Sequence, residues 1–273
     1  MSNTHSVHAS ARAIVRVFAF VVAYFLIMYA ASVPKGMAPR RVADIVWGGL
    51  TSIAVYMLTR FLLLNEQRTR RELGLEFDKR SAARLLGGAA IGFAVYGLSV
   101  VTISLTLGPL RLSPASAPDA TTWMLIIASF LALSCMEELG FRAYPLRTLI
   151  RVLGVWPAQL SVAVLFGLTH LIFGWTWQSV VMGVIPSGLL FGVMAVRSNG
   201  LAMPIGLHAA LNIAQWILSA KDTPGVWTVS TDPAHTARVT AFAPWVALPV
   251  TLLATVIIAK WPLRREVAND STD

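Results

Sequence analysis

Apolar residues in this chain neither alternate nor recur at amphipathic spacing; they come in long unbroken runs divided by short polar segments. Eight such runs are read, over 13–33, 43–64, 85–107, 122–144, 157–173, 178–196, 201–218 and 241–261. Most are close to or above the ~20 residues a helix needs to cross ~30 Å of hydrocarbon, and the fifth and seventh, the shortest, each carry a histidine. The pattern predicts an all-α fold, a polytopic membrane helix bundle of about eight transmembrane helices. Composition points the same way: of 273 residues 56% are hydrophobic and 13% charged, with a mean hydropathy of +0.67. A soluble globular domain is excluded on those grounds. The first run has the length of a membrane anchor and no evident small-residue cleavage site, so it is expected to stay in the membrane.

The formal net charge of +9 raises the question of nucleic acid, and the distribution of charge answers against it. Basic residues gather between the runs. With the N-terminus placed in the cytoplasm, sixteen lysines and arginines fall inside and six, Lys35, Arg40, Arg41, Arg111, Lys221 and Arg238, fall outside. That is the positive-inside bias, opposed only by the 35–41 loop, and it places both termini in the cytoplasm. The expected partners are membrane lipids. Within the basic loop 65–84, RRELGLEFDKR is expected to form a short amphipathic piece against anionic headgroups, with a solvated connector as the plainer reading. The other polar stretches are the Pro/Ser/Ala-rich connector 108–121, the loop 219–240 and the tail EVANDSTD. A single cysteine, Cys135, precludes an intrachain disulfide and reads as a packed thiol. Small-residue pairs, Gly88 with Gly92 and Gly188 with Gly192, mark close helix approach within the bundle and leave the oligomeric state open.

Ionisable groups deep in a bilayer are expensive and are paired or functional when present. Of thirteen carboxylates, only Glu137 and Glu138 interrupt a run far from its ends. Of five histidines, His170 and His208 lie within runs, whereas His5, His8 and His235 lie in polar segments. In EELGFR, Glu138 and Arg142 are four apart on one helix face, in the order that favours an ion pair. Glu137 points about 100° away around the helix. It is left without a local cation, free to face the interior as a candidate general base. FGLTH sets Phe166 one turn before His170, and HAALN sets His208 one turn before Asn212. Such a His/Asn pair can donate hydrogen bonds to an oxyanion, or it can be interhelical glue. The plainer reading of the glutamates with Arg142 is one structural charge cluster.

Taken in order, these elements resemble the CPBP family, the CAAX-prenyl-protease and bacteriocin-processing (Abi) group of intramembrane proteases. Its pattern stands here as Glu137-Glu138-x-x-x-Arg142, Phe166-x-x-x-His170 and His208-x-x-x-Asn212, with the basic amphipathic LRTLIRVLG after the arginine. The resemblance covers roughly 122–218. It implies a catalytic core there (helices 4–7), preceded by helices 1–3 in 1–121 and followed by a loop, a last transmembrane helix and a polar tail in 219–273. It implies hydrolysis of peptide bonds in membrane-associated or lipidated substrates. Glu137 and His170 would activate water, His208 and Asn212 would stabilise the oxyanion, and Glu138 and Arg142 would support that geometry.

No cofactor is firmly implied. Relatives are often labelled metalloproteases, but there is no HExxH, in which two histidines one turn apart grip zinc; Glu137, His170 and His208 are the ligands a zinc ion would take. Two other readings stay open: a catalytically idle immunity or scaffold protein, and a proton-coupled transporter, the latter disfavoured by the lack of evident repeats. The charge pattern and short connections suit a bacterial plasma membrane, and would also suit the endoplasmic reticulum. Residue counting leaves one tension. His170 falls ~20 Å along its helix from the cytoplasmic side and His208 only ~11 Å, at ~1.5 Å per residue, so the offset has to be absorbed.

Overall fold

A computed structural model describes residues 2–221 and 223–261, and side chains from Ser10 onward. Arg264, Arg265, the tail EVANDSTD and the side chains of His5 and His8 lie outside the described residues. The expected bundle is present. Its long helices are α1 (Ser2–Ser32), α2 (Arg40–Asn65), α3 (Ser81–Leu107), α4 (Ala120–Glu138), α6 (Val155–Ile172), α8 (Ile185–Arg197), α9 (Ala202–Ile217) and α10 (Pro233–Ala259). Among the described residues, seven helical stretches are long and apolar enough to cross a membrane. The eighth helix, α9, has 16 residues and is the most enclosed. Between them lie the amphipathic α5 (Tyr144–Leu153), the one-turn α7 (Trp177–Ser179) and two strands, β1 (Leu110–Pro114) and β2 (Trp227–Thr231).

The outer surface is apolar. Phe18, Leu26, Ile53, Phe61, Leu86, Leu105 and Ile257 are all exposed, which is stable only if that belt faces lipid, where helices satisfy their own backbone groups. Exposed Trp156 and Trp261 stand at one end of the bundle and Trp175 and Trp177 at the other, the positions expected for interfacial anchors.

Close approach in the interior is set by small residues. A side chain at Gly88 or Gly206 would run into backbone, of Met203 and Leu85 respectively, and one at Gly92 would meet the Leu207 carbonyl at 2.5 Å. The Gly88 and Gly92 pair therefore packs α3 on α9, and a Cβ at Gly188 would meet Phe166 of α6 at 3.0 Å. Asp119 caps α4, accepting from the Thr122 backbone N–H at 2.8 Å, and its carboxyl is held below the ordinary range by Thr122.

Three details differ from the sequence reading. The connectors 108–121 and 219–240 pair as an antiparallel ribbon, Leu110 opposite Thr231 and Pro114 opposite Trp227. Its β-branched Thr228, Val229 and Thr231 suit a strand, but five residues are too few to register in a search for membrane-length runs. Helix α10 starts at Pro233 rather than near 241, because its first turns are polar and lie outside the apolar run, with proline favoured at a helix start. The 65–84 segment forms no amphipathic helix; Arg70, Arg71, Glu72, Glu76 and Phe77 stay exposed, but its leucines turn inward against the bundle rather than outward to headgroups. It makes a short 3₁₀ turn, Arg71–Leu73, and buries Leu73 and Leu75. Gly74 follows with a φ of 69° and sits so near Gly200 that a Cβ would lie 3.0 Å from its Cα. The amphipathic interfacial element is α5, which buries Tyr144, Leu146 and Leu149 and leaves Arg151 exposed.

If α3 and α9 are held by backbone contact, Gly88→Leu and Gly206→Leu should each destabilise the folded protein by at least about 1–3 kcal/mol. Gly97→Leu, on a part of α3 with open space around it, should not. Thermal denaturation in detergent measures the three; equal effects at Gly88 and Gly97 would refute the packing argument.

Candidate functional site

Helix α4 does not end at Glu138 but widens into a π turn over Leu139–Ala143 before continuing as α5. Pro145, lacking an N–H, cannot return a hydrogen bond to the Phe141 carbonyl, which favours a register change there. Turns of this kind often accompany functional sites. Gly140 inside the turn lets the Tyr24 ring approach, for a Cβ there would lie 2.6 Å from it. The predicted ion pair survives the altered turn: Arg142 Nη1 lies 3.3 Å from Glu138 Oε1, and both side chains are 0% exposed. Arg142 Nη2 donates to the Gly188 carbonyl at 3.1 Å, and the guanidinium lies 4.4 Å from the centre of the Phe166 ring and 5.4 Å from that of Phe191. One ion pair, one hydrogen bond and two aromatic faces thus surround this cation, while its Nε and Nη1 have no hydrogen-bond partner among the described residues.

The same Glu138 oxygen holds His208, whose Nδ1 lies 3.0 Å away. A carboxylate paired with arginine accepts, so Nδ1 carries the proton in that contact. The other ring nitrogen, Nε2, is 3.6 Å from Glu137 Oε2. The imidazole therefore spans both glutamates, and it stacks on Phe191 with centroids 4.3 Å apart and 17° between planes. Spacing along α4 leaves Glu137 without a local cation; an imidazole from α9, invisible to that spacing, lies next to it. The two carboxylates nonetheless differ as their spacing implied. The Glu137 side chain is 22% exposed, that of Glu138 0%.

His170 ends α6. Its Nδ1 is 2.9 Å from the Phe166 carbonyl, which can only accept, so Nδ1 donates and Nε2 remains as the acceptor. The Phe166 ring explains the four-residue spacing. It packs edge-on against His170 at 4.7 Å and against His208 at 6.1 Å, so one ring fixes both imidazoles and supports Arg142 as well. The offset expected from residue counting is absorbed, since both histidines flank the same side chain.

Glu137, His170, His208 and Asn212 all line one cavity of about 430 Å³. No ion pair joins Glu137 to His170 among the described residues; its imidazole neighbour is His208. Spacing arguments missed several lining groups. Tyr24 of α1 is nearly fully buried and its hydroxyl has no hydrogen-bond partner among the described residues. It lies within electrostatic reach of both glutamates and Arg142. At the mouth stand Lys35, Arg41, Asp44, Trp175 and Lys221. Lys35 is 3.4 Å from Asp44 and lies over the Trp47 ring, Arg41 donates to Thr223 at 2.7 Å, and Lys221 faces Trp175. The one available signal was Asp44, a carboxylate at the edge of an apolar run. Among the described residues no three His, Cys, Asp or Glu side chains gather as a metal site requires. The ligand set of Glu137, His170 and His208 expected from the sequence is thus not gathered within reach of one ion.

Fold and site together define a polytopic α-helical integral membrane protein with a buried carboxylate–imidazole centre. Residues 119–214 match the family of the type II CAAX prenyl endopeptidase Rce1-like proteins, a stretch that contains all seven motif residues. The match supports the CAAX-protease resemblance carried by the three motifs. A search of curated proteins found no match.

Removing one partner of a buried ion pair strands the other at a cost of about 3–5 kcal/mol. Arg142→Ala should therefore lower thermal stability and folded yield as well as any activity, because it leaves Glu138 facing only His208. A variant with native stability that loses turnover alone would contradict this anchoring role.

Proposed function

We propose that the chain is an intramembrane endopeptidase of CAAX type that hydrolyses peptide bonds of membrane-associated or lipidated substrates with a water activated by glutamate and histidine. The observation that carries this reading is the convergence of Glu137, His170, His208 and Asn212, from three helices, on one cavity within a membrane-spanning bundle. The match of residues 119–214 to a family of endopeptidases supports it.

Glu137, the more exposed of the two carboxylates, takes the proton of the attacking water, and His170 orients that water by accepting its second hydrogen at Nε2. As the water oxygen bonds to the scissile carbonyl carbon, negative charge moves to the carbonyl oxygen. Asn212 and His208 Nε2 donate to it, His208 as the doubly protonated ring with its Nδ1–H on Glu138. Breakdown releases the amine, which receives the proton held by Glu137. Glu138 and Arg142 touch neither water nor substrate; they are positioning residues that fix the His208 ring.

Glu137→Gln keeps size and hydrogen bonding but cannot accept the proton, so cleavage of quenched fluorescent peptides by the purified protein should be abolished with folding intact. Asn212→Ala should lose about 100- to 1000-fold in turnover and keep residual activity. His170→Ala should resemble Glu137→Gln, and the double variant should be little worse than either, as groups that act as a unit are not additive. Near-native cleavage by Glu137→Gln would end this mechanism. Stoichiometric bound metal, whose removal abolishes activity, would replace its water-activation step.

A further inference from the structure

The described chain has two ends of very different charge. At one end meet the start of α1, the 65–84 segment, α5 and the α8–α9 turn, joined by Arg16 with Glu66, Arg68 with Thr148 and Arg151 with Glu72. The 35–41 loop, the β1–β2 ribbon and the α6–α7 and α9–β2 connections form the other, joined by Arg41 with Thr223 and Arg111 with Asp232. Leaving aside the buried Arg142, thirteen described lysines and arginines belong to the first end and six to the second. The positive-inside bias puts the first end in the cytoplasm.

The cavity opens at the other end. Lys35, Arg41, Asp44, Trp175 and Lys221, which line its mouth, all belong to the second end. Towards the first end it is closed by Glu138, Arg142 and Phe166, at 0%, 0% and 2% exposure. Below these come Tyr144, hydrogen-bonded to Glu66, and the buried Leu73 and Leu75.

We infer that this site takes its substrate from the non-cytoplasmic side of the membrane, as a peptide segment of an exported or outer-leaflet-anchored protein. The inference rests on the hydrolase reading above and narrows it. A lipidated protein confined to the cytoplasmic leaflet meets the sealed end of the bundle, whereas a segment at the opposite interface meets the cation- and tryptophan-lined mouth.

Two measurements on the full chain test this. Single-cysteine variants Arg70→Cys and Arg111→Cys, in a Cys135→Ser background, are treated with an impermeant maleimide in right-side-out and inverted vesicles. Arg111→Cys should react in the former and Arg70→Cys in the latter; the reverse pattern overturns the inference. The same two vesicle preparations, carrying the unaltered chain, are given an impermeant pool of random quenched fluorescent peptides, with Glu137→Gln vesicles as the blank. Cleavage above the blank is expected from right-side-out vesicles and, after detergent, from both. Cleavage by inverted vesicles alone overturns the inference and leaves the hydrolase standing. No cleavage even in detergent overturns the hydrolase reading and the substrate claim with it, while the labelling still decides which way the cavity opens.

Discussion

The structure turns on one carboxylate with no access to water. Glu138 is 0% exposed, and an isolated ion there would be untenable. It is retained because Arg142 and His208 both bind its Oε1, at 3.3 and 3.0 Å. That obligation ties α4 to α9 through the histidine and, through the arginine's contact with the Gly188 carbonyl, to α8. A buried ion pair is weak evidence of stability, since well-packed apolar residues often serve as well. Its distinct consequence here is orientation. With Nδ1 held by Glu138, His208 has one direction in which to present Nε2, and Glu137 lies in that direction.

The remaining architecture keeps that centre closely surrounded. Phe166, Phe191 and Phe141 enclose the guanidinium, and Phe166 reaches them only because Gly188 presents no side chain to it. Both π turns, Leu139–Ala143 and Val180–Val184, fall two residues before a proline, Pro145 and Pro186. Each lets a long helix change register where the missing N–H would otherwise leave a carbonyl unpaired in a medium without water.

Much of this was legible in the sequence for a physical reason: the bilayer imposes length on helices and a penalty on charge, so both the spans and the few buried ionisable groups stand out. The Glu138–Arg142 pair and the different facing of the two glutamates followed from helical spacing alone. Contacts between helices did not. That His208 pairs with Glu138 rather than acting only beside Asn212, that Phe166 supports two imidazoles, and that Tyr24 lines the cavity all depend on how α1, α6 and α9 lie against α4. No periodicity along a single helix encodes that. The ribbon of β1 and β2 and the inward fold of Leu73 and Leu75 escaped because apolar-run reasoning is blind to segments of a few residues.

The one feature that opposed the charge pattern proves informative. Lys35, Arg40 and Arg41 lie on the side with fewer basic residues, where topology alone gives no reason for a cluster. In the structure all three line the cavity. Arg41 also lies 3.8 Å from Asp44 and 4.9 Å from the centre of the Phe130 ring, and Lys35 packs on Trp47. Placed against aromatic faces and a carboxylate, these cations are parts of a built rim rather than topological signals. A site residue departs from the compositional rule of its surroundings because a local task outweighs that rule, as the glutamates depart from hydropathy in the fourth span. The departures from two independent rules, charge sidedness and apolar continuity, meet at one cavity, and that coincidence supports the proposal that it is the functional centre more than either departure alone.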